Sequence, residues 1–324
     1  MGRMLLLGNL KNASNSQVEG YCIVKSVSQK SNIKGVSYLD LIFADSGGEC
    51  VAKLWDYAPE QHGVYDPNTV VKVRATINMW KDEEQLKVDR IRNITAEDEV
   101  NMAALVPCAP LDPQVMYDEI YKCAEKFKDE DLRMITHYIL KEHKDQILIY
   151  PAALKLHHAY RAGLLYHTLT MLRAAKALYR VYKEIYPPLS EELIYAGIIL
   201  HDVAKVKELV VGELGIASAY SVSGQLLGHI SYGVAMIERA GAELMADEHT
   251  IMLLQHMMLS HHGVAEFGSP RSPMFPEAEI VSEIDLLDAR LFEMYDALAS
   301  VAVGEFSERQ WALDNRQLYK HGHE

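Results

Sequence analysis

The sequence predicts a multidomain protein, an N-terminal all-β barrel followed by an all-α part, and three observations predict it. Apolar and polar residues alternate, with the period of half-buried strands, between Val18 and about Arg92. Beyond Pro107, Pro110 and Pro113 the spacing becomes that of amphipathic helices and stays so. Charge divides there too: residues 1–95 hold 12 Lys and Arg against 11 Asp and Glu, leaving 20 against 34 for the rest of a chain whose net charge is −13. The acidic part would need cations to hold a phosphate, whereas the β part can approach a polyanion unaided.

The strands follow in order. Val18 to Val27 leads through a polar turn with Gly35 into Ser37 to Ala44, where Leu39, Leu41 and Phe43 share one face and Tyr38, Asp40 and Ile42 the other. Asp45-Ser-Gly-Gly48 reads as a hairpin turn before Glu49 to Trp55. A short segment at Pro59 to His62 precedes the longest strand, Val70 to Trp80, with Val71, Val73, Ala75, Ile77 and Met79 inward. Lys81-Asp-Glu-Glu84 then turns the chain into Gln85 to Arg92. Five strands with an insertion between the third and fourth make the pattern of an OB-fold barrel, assigned to residues 1–95. Such barrels stack bases on aromatic rings while cations follow the phosphates, so Tyr38, Lys53, Trp55, Lys72, Arg74 and Trp80 are the candidate nucleic-acid contacts. The plainer reading of those residues is the polar outer face that any antiparallel barrel carries.

Residues 96–150 form a boundary and leading helices, Pro113 to Phe127 and Asp131 to His143, the first opening with Asp112 as cap and Pro113 in the first turn. The remaining segment, 151–324, holds the chemistry. Gly197-Ile-Ile-Leu-His201-Asp202-Val-Ala-Lys205 is an apolar helix ending in a histidine, a carboxylate and a lysine. An ionised aspartate buried there without a partner would cost several kcal/mol, so Asp202 should face a cation, and its two oxygens could bridge two. His167 lies in register with Met171, Ala174, Leu178 and Val181 on a helix from Arg161 to Tyr182, and so faces the core. His229 follows Gly228 at a helix start, and His261-His262-Gly263 closes a Leu- and Met-rich helix. Successive helical side chains diverge by about 100°, so at least one of His261 and His262 is expected on a metal, His261 first. Asp285, with Asp288 one turn later, lies on the helix Glu277 to Ser300. Lys205 could hold a phosphate oxygen as charge builds, or be a solvated lysine at a helix end. His256 is read as structural.

The order His167, His201-Asp202, His229, His261-His262, Asp285 resembles that of HD-domain metallophosphohydrolases. Oxygen and imidazole donors without thiolates suit Mn²⁺, Fe²⁺, Mg²⁺ or Co²⁺ rather than structural zinc. In that superfamily a histidine at the place of His229 accompanies a second metal, so two divalent ions are expected.

A closer resemblance spans nearly the whole chain. The barrel plus His157-His158 ahead of Gly-Leu-Leu-Tyr-His167, Leu-Leu-Gly-His229-Ile-Ser, Leu-Ser-His261-His262-Gly, Glu-Phe-Gly-Ser-Pro270 and Ala-Leu-Asp-Asn-Arg316 is similar to the YhaM family of bacterial 3′-5′ exoribonucleases. The resemblance implies a manganese-dependent enzyme that shortens single-stranded RNA, and single-stranded DNA as a second candidate, to nucleoside monophosphates, and that assembles as a homo-oligomer. It also makes His157, His158, Arg161, Ser269 and Arg271 candidates for gripping the terminal nucleotide. Phe267 stands where the family pattern carries tryptophan, and Leu286 replaces a polar residue.

The expected protein is thus a metal-dependent 3′-5′ exoribonuclease with Asp202 and Lys205 at the reacting centre. Its rivals are a nucleotide or cyclic-nucleotide phosphohydrolase and a non-catalytic single-strand-binding protein. Cys22, Cys50, Cys108 and Cys123 are too scattered for a disulfide framework, and Met1 to Gly8 holds too short an apolar run for a signal peptide or span. A cytoplasmic location without membrane attachment is expected.

Overall fold

The alternating segment closes into a barrel because one long strand serves two neighbours. Its strands are β1 (Arg3–Met4), β2 (Gln17–Ser31), β3 (Ser37–Asp45), β4 (Gly48–Leu54), β5 (Thr69–Trp80) and β6 (Glu83–Asn93). One end of β2 pairs antiparallel with β5 from Gln17↔Thr76 to Val24↔Thr69, and the other with β3 from Ile23↔Ala44 to Ser31↔Ser37. A register shift between Val24 and Ser26 lets the strand bend from one partner to the other. β3 pairs with β4, β4 runs parallel to β6, and β6 returns to β5, so the ring β2-β3-β4-β6-β5 is complete. This five-stranded barrel resembles OB-folds, and its short helix α1 (Pro59–His62) falls between β4 and β5.

Alternation fills the barrel's interior: Leu41, Phe43, Ala52, Val71, Ala75 and Leu86 are fully buried. Met79, expected to point inward, is half exposed because the β5 pattern runs on past the packed interior.

The computed structural model describes residues 3–4, 7, 17–80, 83–265 and 268–323. Two compact units emerge, one reaching Cys108 and including Gly212–Leu214, the other formed by Ala109–Val211 and the chain from Gly215. The second unit contains α2 (Pro113–Ala124), α3 (Glu130–Glu142), α4 (Lys144–Ile147), α5 (Gly163–Ile185), α6 (Glu191–Leu200), α7 (Lys205–Glu208), α8 (Val222–Leu244), α9 (Glu248–Ser260) and α10 (Pro276–Ala299). The expected caps form: Asp112 accepts from Gln114 and Val115, and Ser190 from Leu193.

At the centre lies α6, buried all round from Leu193 to Leu200, with α5, α3, α9 and α10 packed against it. A Cβ at Gly197 would meet Cε of Met257 at 2.3 Å, so this position lets α9 approach. Two features correct the expectations for the helical part, the first its being all-α and the second a helix start at His229. A hairpin, β7 (Leu209–Val211) with β8 (Ala217–Tyr220), follows α7, and helix already begins at Val222 before a break at Gly228. Among the described residues no helix is long and apolar enough to cross a membrane.

Candidate metal centre

Five helices deliver the chemistry-bearing residues to one place. His167 lies on α5, His201 caps α6 with Asp202 directly after it, His261 caps α9, and Asp285 comes from α10. His229 is delivered by the break in α8: Gly228 adopts φ 69° and ψ 164°, a conformation glycine reaches without strain, so a new helical run starts at the histidine. Glu208, at the end of α7, accepts from the His229 backbone N–H and faces Nδ1, each at 3.1 Å.

Each ring is held by its Nδ1. That atom donates to the Ile198 carbonyl in His201 at 2.7 Å and to the Met258 carbonyl in His261 at 2.8 Å. In His167 it donates to Oδ2 of Asp288 at 2.8 Å, and in His229 to Glu208. The four Nε2 atoms therefore face the carboxylates of Asp202 and Asp285, with Nδ1 anchored as it is in imidazoles that ligate metals. His167 Nε2 lies 3.1 Å from Asp285 Oδ1, and His201 Nε2 lies 3.4 Å from Asp202 Oδ2. On the other oxygen, Asp202 Oδ1 is 3.4 Å from His229 Nε2 and 3.8 Å from His261 Nε2.

Asp202 thus divides the cluster. Donor atoms of His167, His201 and Asp202 lie within 4.8 Å of one another, as do those of Asp202, His229, His261 and His262. Among the described residues, three of the five buried side-chain polar atoms without a hydrogen-bond partner are Asp202 Oδ1, His229 Nε2 and His261 Nε2. Orphaned acceptors converging in a buried space are costly unless a cation joins them. This His/Asp cluster, with its oxygen and imidazole donors, fits divalent metal ions.

Charge is unevenly shared within the cluster. Burial alone would raise the Asp202 carboxyl, but Lys205, 2.6 Å away, together with His201 and His229, holds it well below the usual range. Burial likewise opposes charge on His167, yet Asp285 and Asp288 push that ring up to about 9, which favours a proton on Nε2 that a ligating metal ion would have to displace. His261 is driven the other way, by burial and then by His262 and His201.

The remaining expected residues divide by position. His157 and His262 line the cleft beside Asp202, Lys205 and Asp285. His158, expected to touch the terminal nucleotide, is buried behind the centre: its Nε2 donates to Asp288 at 2.9 Å and its Nδ1 accepts from the Tyr160 hydroxyl at 2.7 Å. Ser269 is buried too, its Oγ accepting from the His262 backbone at 3.0 Å, so it positions the loop. Neither Arg161 nor the exposed Arg271 belongs to the cleft lining. His256 accepts from the Met274 backbone, a structural bond as expected. Phe267 and the side chain of Trp80 lie outside the described residues. Sequence reasoning missed Glu208, although it stands one helical turn after Lys205, and missed the C-terminal Trp311 that joins the cleft lining.

On the barrel, Tyr38 and Trp55 rings lie 4.7 Å apart, with Lys53 Nζ 5.1 Å from the first and 5.8 Å from the second. Lys72 covers Tyr21 at 5.5 Å, and Arg74 is engaged by Glu19 through two hydrogen bonds of 2.8 and 2.6 Å. An aromatic and cationic patch therefore exists at Tyr38, Lys53 and Trp55, with Asp40 3.7 Å from Lys53, while Arg74 is more tightly held by Glu19.

An HD-domain family model matches residues 164–290. The chain is 40% identical over 304 residues to the 3′-5′ exoribonuclease YhaM of Bacillus subtilis (strain 168), covering 94% of this chain and 95% of that protein. It is 41% identical to the 3′-5′ exoribonuclease YhaM of Geobacillus sp. (strain WCH70), covering 94% and 92%. Among solved structures, the second OB-fold domain of replication protein A from Methanococcus maripaludis is 15% identical, covering 31% of this chain and all of that one at a TM-score of 0.24. With its HD cluster and this likeness along nearly its whole length, the chain belongs to the YhaM family of 3′-5′ exoribonucleases.

Proposed function

We propose that this protein is a metal-dependent 3′-5′ exoribonuclease that hydrolyses single-stranded RNA, with single-stranded DNA as a second substrate, to nucleoside 5′-monophosphates. One observation carries the reading: Asp202 turns its two oxygens to two separate groups of histidines, in a chain whose relatives bear that name. His167, His201, Asp202 and Asp285 would hold one divalent ion, and Asp202, His229, His261 and His262 a second, manganese being the first candidate. Bound ions would acidify the attacking water and neutralise charge on the scissile phosphate.

The chain's own groups do the rest. Lys205, now on Asp202 at 2.6 Å, is within reach of a non-bridging phosphate oxygen. Asp288 and Glu208 keep the Nδ1 protons of His167 and His229 in place, so both rings present lone pairs to the centre. His157 lines the approach to it. On the barrel, Tyr38, Lys53 and Trp55 offer rings and charge to a strand. A cytoplasmic location and assembly into a homo-oligomer belong to the same proposal.

The test is a 5′-labelled single-stranded oligoribonucleotide incubated with and without Mn²⁺, beside Asp202→Asn. The wild type should shorten it stepwise from the 3′ end in Mn²⁺ alone. Because metal Lewis acidity contributes several kcal/mol, the variant should be slower by roughly 10³-fold or more. Full activity in the variant, or cleavage confined to mononucleotides, would remove the assignment.

A further inference from the structure

The C-terminal segment after α10 folds into a hairpin without regular strands. Ser307 donates to the Leu318 carbonyl at 2.8 Å, Gln310 to that of Arg316 at 2.9 Å, and Lys320 to that of Glu305 at 3.0 Å. Lys320 Nζ also bonds the Leu298 carbonyl at 3.0 Å, tying the hairpin to the end of α10. Its tip is the single turn Trp311–Leu313, followed by Asp314 and Asn315 at positive φ. Leu313 is 1% exposed and anchors that turn, while Trp311, two residues earlier, is 72% exposed. Among the described residues no ring or cation engages the Trp311 indole.

This tip does not stand apart from the chemistry. One cleft of about 400 Å³ is lined both by Trp311 and by Asp202, Lys205, His261 and Asp285 of the metal centre. That volume falls near the lower end of the roughly 300–1,000 Å³ of small-ligand sites. An exposed indole with no ring or cation partner among the described residues, in a cleft with a phosphate-handling end, calls for a ligand with a flat apolar face and a phosphate, which a nucleotide has. The same lining carries Glu293 and Asp314; Arg290 and Arg316 lie 3.9 and 3.7 Å from Asp314 and offset it, so the carboxylate left to repel a continuing phosphodiester backbone is Glu293, which has no ion pair among the described residues. The far part of the cleft therefore suits an uncharged nucleoside end rather than more chain.

Resting on the exoribonuclease reading, we infer that Trp311 is the platform on which the base of the 3′-terminal nucleotide stacks while its phosphate reaches the metal centre. Stacking on an aromatic face is tolerant of sequence, so Trp311 places each new end alike whatever its base.

The test compares two single-stranded RNAs in Mn²⁺, one intact and one whose 3′-terminal residue is abasic. Loss of one stacked base is worth roughly five- to a hundredfold in binding. Trp311→Ala should raise KM about tenfold on the intact RNA with kcat little changed, and Trp311→Phe should recover most of it. The wild type should show a similar rise on the abasic-ended RNA, and Trp311→Ala no further rise there. An equal penalty of Trp311→Ala on both RNAs, or none on the intact one, overturns the inference. Failure of the wild type to shorten either RNA overturns instead the exoribonuclease reading.

Discussion

Asp288 accepts the Nδ1 proton of His167 at 2.8 Å, and through the same oxygen it also accepts from His158 at 2.9 Å. A carboxylate one turn beyond Asp285 thus holds the Nδ1 proton of a candidate ligand on another helix. Losing such a support typically costs about 10- to 100-fold in metal affinity or activity. Asp288→Ala should lie in that range, with Mn²⁺ affinity measured by calorimetry, and His158→Ala should cost less because it touches only the support.

Glu208 acts on the other side of Asp202. Its carboxylate holds both the backbone N–H and Nδ1 of His229. Glu208→Ala should weaken the ion on the His229 side by about 10- to 100-fold and leave the other nearly intact. Counting bound manganese at fixed concentration should therefore give close to one ion per chain where the wild type should give two.

Metal removal should loosen the helical unit selectively. The donors come from α5, α6, α8, α9 and α10, and the atoms they orphan are buried. An ion at a hundred times its Kd contributes about 2.7 kcal/mol, which corresponds to roughly 5–10 °C in Tm for a unit of this size. Calorimetric scans with chelator should show the helical transition moving down by that order while the barrel's does not move.

On the barrel, Lys53 and the Tyr38–Trp55 pair form the aromatic and cationic patch. Lys53→Ala with Trp55→Ala should raise KM for long single-stranded RNA about tenfold and leave a dinucleotide unaffected. The salt dependence of binding should become shallower by about one unit of slope for the lost cation. A loss equal for both substrates would place the damage elsewhere.

Much of this was legible because burial imposes a period. Leu39, Leu41 and Phe43 had to face inward once the strand was read, and the unbroken apolar run before His201 had to lie at the centre of the helices. Where a pattern outlasts its packing partners the same reasoning overshoots, as at Met79 and Val181, both more than half exposed. The β7–β8 hairpin escaped notice because three or four residues are too few to show a period. His158 and Ser269 were legible as polar residues beside the site but not as supports: a sequence does not distinguish a group facing a substrate from one facing the back of a ligand. The hairpin carrying Trp311 left no periodic trace, being held by main-chain bonds and two buried leucines, Leu313 and Leu318.

The closed ring β2-β3-β4-β6-β5 has a consequence for how a strand of RNA can be held. β3 is paired on both flanks from Leu39 to Ala44 and β5 from Val71 to Thr76, so neither of these two staves offers a run of spare amides there for a visiting polymer to anneal against. A polymer lying across those two staves must be gripped by what projects from them, so its hold there is easily made and easily released, which suits a substrate that has to slide forward after every cut.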